Sequence, residues 1–193
     1  MSERSYCVTL TVNGLERTGN CSARTSLVDF LRETLRLTGT HVGCEHGICG
    51  ACSIMLDGRP VRSCLMFAVQ ADGHSLTTVE GLSQPDGQMS ILQDSFCETH
   101  GLQCGYCTPG MLIAAQALLD RNPNPDEHTI RDAIGGNLCR CTGYQQIVDA
   151  IQLAASRLAA DRPAANQPAA NQPARAQSAP AGTTGHDKAS HRS

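Results

Sequence analysis

The most constraining feature of this sequence is a group of four cysteines, three of which lie close together in a glycine-rich segment. They follow the spacing C-x4-C-x2-C, with the last after eleven further residues: Cys44, Cys49, Cys52 and Cys64. This is the spacing of the thiolate ligands of a plant-type [2Fe–2S] cluster. Residues 40–52 contain three glycines, which no regular helix or strand tolerates so often. The pattern predicts a loop wrapped around a metal cluster, with the fourth ligand on a neighbouring strand.

The spacing of this first group leaves two alternatives open. Cys49 and Cys52 alone would suit a zinc knuckle, although the C-x4-C step and the glycine-rich loop fit zinc less well. A redox-active C-x-x-C pair is the other alternative, but the thioredoxin-like βαβ context is missing. An iron–sulfur cluster needs amide donors to its sulfur atoms and restricted solvent, because these set its reduction potential. A glycine-rich loop can supply both, so the spacing favours iron–sulfur.

A second group of four cysteines lies nearer the C-terminus, at Cys104, Cys107, Cys139 and Cys141. The last two are separated by a single residue, which is closer than common zinc motifs allow. A long stretch divides the two pairs, so the fold must bring them together. The spacing favours a second iron–sulfur cluster and leaves zinc or a redox disulfide as alternatives.

Charge and composition exclude several classes of protein. The 193 residues carry a net charge of −3, which suggests neither a nucleic-acid nor a membrane partner. No apolar run approaches the ~20 residues that span a bilayer, and the first residues lack the apolar core of a secretory signal. We therefore expect a cytoplasmic protein, in which structural disulfides are rare. Eleven cysteines in a reducing compartment indicate metal ligands.

The N-terminal part of the sequence predicts a sheet. Alternating apolar residues and the tight turns Asn13-Gly14 and Asp57-Gly58 indicate two hairpins and a short last strand. The predicted strand segments are 5–20 for the first hairpin, 53–56 with 61–67 for the second, and 76–79. Val8, Leu10 and Val12 are expected to share one strand face. The order of elements fits a small β-grasp sheet of the plant-ferredoxin type.

One helix is predicted across this sheet. The segment Ser26-Leu-Val-Asp29 resembles a capping box with aspartate in place of glutamate, and it begins a helix through about Leu37. Apolar residues at helical spacing give the helix one face that packs on the sheet. Gly39 is placed to end it as a C-terminal cap.

Past Glu80 the pattern becomes helical. Four helices with short connections are predicted at about 90–100, 108–120, 126–134 and 142–159. Thr108 is expected to cap the second of them, with proline at the first helical position. Short connections favour a compact four-helix bundle. The cysteine pairs of the second group lie near helix starts, where free amides and the positive dipole end favour thiolates.

The sequence thus predicts an α+β chain with two domains and a tail. A β-grasp [2Fe–2S] domain covers residues 1–80, a helical [2Fe–2S] domain covers 81–160, and a tail covers 161–193. Ala-Ala-Asn-Gln-Pro occurs at 164–168 and again at 169–173. Such a composition buries too little apolar surface to offset ordering entropy, so we expect a disordered tail. Its composition favours a dispensable extension and leaves a tethering function as the alternative.

Four longer motifs carry a resemblance to a known family. They contain all eight cysteines of the two groups, and they are Gly43-Cys-Glu-His-Gly-Ile-Cys-Gly-Ala-Cys52, Val61-Arg-Ser-Cys64, Gln103-Cys-Gly-Tyr-Cys-Thr-Pro-Gly110 and Gly136-Asn-Leu-Cys-Arg-Cys-Thr-Gly-Tyr144. Residues 6–160 resemble the iron–sulfur subunit or domain of the molybdenum hydroxylases, the family of xanthine dehydrogenase, aldehyde oxidoreductase and aerobic carbon monoxide dehydrogenase. No ligand position departs from the family pattern, and the tail lies outside the resemblance.

The resemblance implies two [2Fe–2S] clusters in series, each held by one cysteine group. The second group would lie nearest a molybdopterin cofactor in a large partner subunit, and the first would lie toward FAD in a medium partner subunit. Electrons would pass from molybdenum through the second and then the first cluster to FAD. Gln103 would lie beside the pterin and the sulfur of Cys139 close to it. The alternative for Gln103 is a polar loop residue satisfied by backbone. Arg140 either offsets cluster charge or forms a weak surface ion pair.

The sequence also lacks the parts that handle a substrate. It contains no G-x-G-x-x-G after a strand, and it is too short for a molybdopterin or flavin domain beside two cluster domains. We therefore expect an electron-transfer subunit of a heteromeric oxidoreductase that does not turn over substrate alone. The alternatives are a free-standing two-cluster ferredoxin or iron–sulfur sensor, and a zinc-stabilised interaction module.

Overall fold

The structure is a computed structural model, and it describes residues 4–161. The tail predicted over 161–193 lies outside the described residues, apart from Asp161. The described chain begins with strands and ends with helices, in the order that the sequence predicts.

Five strands form one mixed sheet in the order β2-β1-β5-β3-β4. The strands are β1 (Ser5–Val12), β2 (Leu15–Ser22), β3 (Ser53–Leu56), β4 (Arg59–Arg62) and β5 (Ser75–Thr77). β1 and β5 are parallel, and the other neighbours are antiparallel. Both predicted hairpins are confirmed, and the last strand lies between them because its two edges pair with β1 and β3.

The first hairpin forms as the sequence predicts. Asn13 and Gly14 take the left-handed φ values of +52° and +79° that a tight two-residue turn requires. Val8, Leu10 and Val12 are each at most 2% exposed, so the predicted apolar face is the buried one. This face packs on Leu27, Phe30, Leu31 and Ile54 in the core of the sheet half.

The predicted first helix is shorter than expected. The cap is confirmed, because the Ser26 side chain accepts the amide of Asp29 at 3.1 Å. The helix α1 (Leu27–Asp29) then widens into a π-helical turn that ends at Thr34, and the prediction of a helix through Leu37 is wrong. Arg32 draws the following chain inward by donating to the carbonyls of Thr38 and Thr40, each at 2.7 Å.

Gly39 does not cap that helix, so this prediction is also wrong. The left-handed residue after the helix is Arg36, with φ of +59°. The amide of Gly39 instead donates to the Glu80 carboxylate at 2.7 Å. This long-range bond fixes the start of the cysteine loop against the end of the sheet half.

The strand predicted over 61–67 ends at Arg62, and the remainder of that prediction is wrong. The buried Ser63 binds the Cys52 carbonyl twice, through its amide at 3.3 Å and its hydroxyl at 2.7 Å. This clamp turns the chain into a short 3-10 helix, Ser63–Leu65. Cys64 therefore lies on a turn rather than on a strand.

Four longer helices make up the second half: α2 (Ile91–Glu98), α3 (Thr108–Arg121), α4 (Glu127–Ile134) and α5 (Gln145–Asp161). They share one apolar core that includes Phe96, Met111, Ile130, Ile147 and Ile151. No helix within residues 4–161 combines the length and the apolarity that crossing a bilayer requires.

Two predicted helix starts differ from the structure, by one residue at α3 and by three residues at α5. Cys107 is the N-cap of α3, so Thr108 is its first helical residue rather than its cap, and the buried Thr108 hydroxyl has no hydrogen-bond partner within residues 4–161. The last helix begins at Gln145 rather than Thr142, because Tyr144 has a left-handed φ of +72°. At the last helix, residues 142–144 instead belong to the loop that carries Cys139 and Cys141.

The sheet half and the helical half pack on each other through α3 and β3. Met55 of β3 and Ile113 and Ala117 of α3 form a small buried cluster. Gly110 gives the closest approach, since a Cβ there would lie 2.3 Å from the carbonyl oxygen of Gly50. The contact shows that the sheet half and the helical half pack against each other. The domain limits near residues 80 and 160 stay predictions.

Candidate metal centres

The first four cysteines come together as two neighbouring pairs. The thiol of Cys49 lies near that of Cys44 and helps to lower the pKa of Cys44, and the thiol of Cys52 lies near that of Cys64 and helps to raise the pKa of Cys64. The two pairs lie side by side, since the charge of Cys44 also acts on Cys64. We call these four residues the first quartet.

The loop around the first quartet turns its amides toward sulfur. The amides of His46 and Cys49 point at the Cys44 sulfur, at 3.3 and 3.4 Å. Glu45 takes a left-handed φ of +56° to allow this turn. Gly50, with φ of +76°, must be glycine, because a Cβ there would lie 2.6 Å from the Gly136 carbonyl oxygen. The predicted inward amides are therefore present.

The last four cysteines form the second quartet, again as two pairs. The sulfur atoms of Cys104 and Cys141 lie 3.5 Å apart. The thiols of Cys107 and Cys139 are neighbours, and each shifts the pKa of the other. The charge of Cys139 acts to raise the pKa of both Cys104 and Cys141, so the two pairs are neighbours. The structure thus brings together residues from the start of α3 and from the loop before α5.

Two pairs of thiols in each quartet suit a dinuclear cluster. A [2Fe–2S] cluster takes four thiolates, two on each iron. A single zinc ion instead takes four ligands at about 2.3 Å from one point. The paired arrangement fits [2Fe–2S] ligation at both quartets.

The thiols of the first quartet differ in acidity. Hydrogen bonds from the amides of Cys49 and His46 lower the pKa of Cys44 to about 6. Burial, followed by the neighbouring thiol of Cys52, raises the pKa of Cys64 to about 11. One sulfur is therefore ready to bind a metal as a thiolate, and the other must lose its proton when a metal binds.

The thiols of the second quartet alternate in acidity within each of its pairs. The amide of Tyr106 lowers the pKa of Cys104, and the thiol of Cys104 in turn raises the pKa of Cys141. Burial raises the pKa of Cys107 to about 12. Burial also acts to raise the pKa of Cys139, but hydrogen bonds from Thr142 outweigh it, and that pKa lies below its ordinary value. Each pair thus holds one acidic and one weakly acidic thiol.

The loop after Cys139 folds back onto its sulfur. The hydroxyl and the amide of Thr142 lie 3.2 and 3.5 Å from the Cys139 sulfur. The Tyr144 hydroxyl accepts the Cys139 amide at 2.8 Å and donates to the Asn137 carbonyl at 3.3 Å. These bonds explain why α5 begins only at Gln145.

The loops of the two quartets are hydrogen-bonded directly to each other. The amide of Leu138 donates to the carbonyl of Cys49 at 2.8 Å. Asn137, which is 2% exposed, donates to the Gly50 carbonyl at 3.1 Å. Arg62 donates to the Gly136 carbonyl at 2.6 Å and to the Asn137 side-chain oxygen at 3.1 Å. We call this set of bonds the quartet junction.

A second contact between the loops lies at Tyr106, within the second quartet. Its hydroxyl donates to the Val42 carbonyl, beside the first quartet. Its ring stacks on His41 with centroids 4.9 Å apart, and the His41 ring bonds the Tyr106 carbonyl at 2.9 Å. Both sides of the second quartet are therefore fastened to the first loop.

Two family models match the chain over almost all of its described length. A 2Fe-2S iron-sulfur cluster binding domain matches residues 10–78, and a [2Fe-2S] binding domain matches residues 78–152. The gamma subunit of caffeine dehydrogenase from Pseudomonas sp. (strain CBB1) is 56% identical over 151 residues, which cover 77% of this chain and 90% of the relative. This chain belongs to the iron–sulfur small subunits of the molybdenum hydroxylases.

Further comparisons agree with this family. The nicotine 6-hydroxylase small subunit of Paenarthrobacter nicotinovorans is 54% identical over 140 residues, covering 72% of this chain and 84% of the relative. A crystal structure of quinoline 2-oxidoreductase from Pseudomonas putida 86 matches with a TM-score of 0.79 and 48% identity, covering 82% of this chain and 99% of that one. The small subunit is therefore part of an oxidoreductase and carries two 2Fe-2S binding domains.

Gln103 and Arg140 are both exposed on the small subunit. The Gln103 side chain makes no hydrogen bond within the described residues, so the backbone does not satisfy it. Arg140 makes no ion pair there either, although it lies between Cys139 and Cys141. The placement of Gln103 and Cys139 beside a pterin stays a prediction.

Sequence reasoning missed the residues that hold the quartets in place. Thr142, Tyr144 and Asn137 lie inside the motif Gly136–Tyr144, and Arg62 lies inside the motif Val61–Cys64. Only their position next to cysteines marks them in the sequence. Arg62 contacts Gly136, which lies more than seventy residues further along the chain, so no local sequence pattern identifies this partner.

Proposed function

We propose that the small subunit relays electrons through two [2Fe–2S] clusters from a molybdopterin site in one partner subunit to FAD in another. Each cluster, when bound, would serve as a carrier of one electron at a time. The first is held by Cys44, Cys49, Cys52 and Cys64, and the second by Cys104, Cys107, Cys139 and Cys141. The observation that carries this proposal is the presence of two separate quartets, each arranged as two close thiol pairs, in one compact chain.

The chain's own residues favour such a relay. The amides of the first loop and the donors at Cys139 stabilise negative charge on sulfur. The quartet junction holds the two loops in direct contact, which keeps the two metal sites close. A carrier pair needs this fixed proximity, because electron transfer weakens steeply with distance.

We further propose that the second quartet faces the molybdenum-containing large subunit and the first quartet faces the flavin-containing medium subunit. Gln103 and the Cys139 sulfur would then lie beside the pterin. Support comes from the exposed and unbonded Gln103 side chain, directly before Cys104. The proposed architecture is a β-grasp domain to about residue 80 followed by a helical-bundle domain to about residue 160, in a hetero-oligomer.

Electron paramagnetic resonance of the intact complex tests the two-cluster assignment. We expect two reduced [2Fe–2S] signals in the natural complex. Cys49→Ser should remove or alter one of them and Cys139→Ser the other, since each cysteine belongs to a different quartet. Cys97→Ser is the matched control, because Cys97 is an exposed cysteine on α2 outside both quartets, and it should leave both signals unchanged.

Three outcomes would contradict the proposal in different ways. Loss of the same signal in both ligand variants would show that the quartets are not independent. A colourless protein that contains zinc and no iron or sulfide would exclude iron–sulfur ligation. Purification of the native chain as a loaded monomer without large partners would favour a free-standing two-cluster ferredoxin or sensor.

A further inference from the structure

The hydroxyl of Thr142 is the one side-chain hydroxyl within residues 4–161 that is hydrogen-bonded to a sulfur of either quartet. We propose that Thr142 sets the reduction potential of the second cluster by donating this hydrogen bond to the Cys139 ligand. The inference rests on the proposed function, because it takes Cys139 as a ligand of that cluster. It concerns a positioning residue of this chain and not a new cofactor.

The geometry at Cys139 favours a strong and constant hydrogen bond. Thr142 is 9% exposed, so water competes little for its hydroxyl. Its oxygen lies 3.2 Å from the Cys139 sulfur, and its amide adds a second donor at 3.5 Å. One residue thus directs two donors at one sulfur.

The direction of the hydroxyl proton follows from the other bond that the hydroxyl makes. The amide of Tyr144 donates to the Thr142 oxygen at 3.1 Å. A hydroxyl that accepts from an amide keeps its proton free to donate, and a metal-bound thiolate can only accept. Two consecutive hydrogen bonds therefore run from the Tyr144 amide to the Thr142 hydroxyl and from that hydroxyl to the Cys139 sulfur. Hydrogen bonds linked in this way polarise and strengthen one another.

Tyr144 holds this chain of bonds in place. It has a left-handed φ of +72°, which a bulky residue adopts only when its surroundings force it. Its hydroxyl accepts the Cys139 amide at 2.8 Å, while its own amide supports Thr142. The bonds close a ring from Cys139 through Thr142 and Tyr144 back to Cys139. The strained backbone is the means by which the hydroxyl is aimed at sulfur.

The effect of a donor to sulfur has a known sign. A reduced cluster carries one more negative charge than an oxidised one, so a hydrogen bond to its sulfur stabilises the reduced state more. The Thr142 hydroxyl should therefore raise the potential of the second cluster. Within residues 4–161, backbone amides donate to the sulfur atoms of the first quartet, as His46 and Cys49 do at Cys44, and Thr142 makes no hydrogen bond to that quartet.

Redox titration of the intact complex, followed by electron paramagnetic resonance, tests the inference. Thr142→Val keeps the shape of the side chain and removes the donor, and it should shift the second cluster to a more negative potential. Thr142→Ser keeps the hydroxyl and should restore the natural potential. The first cluster is the internal control, and its potential should stay unchanged in both variants.

The possible outcomes separate this inference from the proposed function. Two normal signals with an unchanged second potential in Thr142→Val would overturn the inference alone. Failure of Cys139→Ser to affect any signal would overturn the proposed function as well. If Thr142→Val does not retain the second cluster, Thr142→Ala removes the hydroxyl with a smaller side chain. If Thr142→Val and Thr142→Ala both lose the second cluster while Thr142→Ser retains it, the hydroxyl is needed to hold the cluster rather than to set its potential. That result would also overturn the inference.

Discussion

At the scale of single residues, two glycines set how closely the quartets approach. Gly50 and Gly110 face each other across the contact between the sheet half and the helical half. A Cβ at Gly110 would lie 2.3 Å from the carbonyl oxygen of Gly50 and 2.9 Å from the side-chain nitrogen of Asn137. The first of these atoms is backbone and cannot rotate away, so the loop of the first quartet would have to move.

Gly110→Ala should therefore destabilise the folded subunit by about 1–3 kcal/mol, the usual cost of an extra carbon in a closely packed site. Loss of visible absorption during thermal unfolding of the iron-loaded chain measures the change. Gly135→Ala is the matched control, because Gly135 has a helical φ of −56° and its Cβ would come no closer than 3.2 Å to any atom. Equal midpoints for the two variants would show that the first loop moves freely at Gly110.

The candidate ligands could be predicted from the sequence, but the residues that hold those ligands in place could not. Cysteine spacing is a local property, so all eight candidate ligands could be named, and the structure gathers them into two quartets. Thr142 and Asn137 form hydrogen bonds whose partners depend on the course that the backbone takes around them. That path depends on a left-handed Tyr144, for which the sequence gives no glycine or asparagine as a signal.

At the scale of elements, helices with strong apolar spacing were predicted correctly and irregular ends were not. The stripe of α5 is buried at Ile147, Ile151 and Ala154, as expected. The first helix, the strand after Arg62 and the start of α5 were wrong for one common reason. In each case a side chain or amide binds a carbonyl or sulfur three to eleven residues away in the sequence, and these bonds override the regular helix or strand pattern.

The start of α2 allows a test of local stability. Ser90 accepts the amide of Gln93, and the Gln93 side chain returns a bond to the Ser90 amide at 2.8 Å, which forms a capping box. Ser90→Ala should cost about 1 kcal/mol of folding free energy by removing this cap. Ser156→Ala, in the middle of α5 and exposed, is the control and should change stability little. A thermal midpoint in Ser90→Ala that matches the control would show that α2 does not depend on its cap.

At the scale of the whole molecule, the cluster-binding unit is complete by the end of α5. The matched family models end at residue 152, and α5 ends at Asp161. All eight candidate ligands and the quartet junction lie before that point. The predicted tail contributes no residue to either quartet.

A chain that ends after Asp161 should therefore retain both clusters and its place in the complex. Iron and sulfide per chain, together with co-purification of the proposed large and medium partner subunits, measure the two properties separately. The full-length chain expressed in parallel is the control. Retention of iron with loss of partners would assign an assembly role to residues 162–193, and loss of iron would show that they support the fold.

The quartet junction also limits how this molecule can be rearranged by recombination. Each half corresponds to one cluster-binding module, yet Cys49 and Gly50 share hydrogen bonds with Leu138 and Asn137 of the other half. A chimera that joins the sheet half of one relative to the helical half of another keeps its interface only if both loops have the same length and Gly110 stays a glycine. The two modules are therefore best exchanged together, because an inserted residue in either loop would displace the partners of these hydrogen bonds.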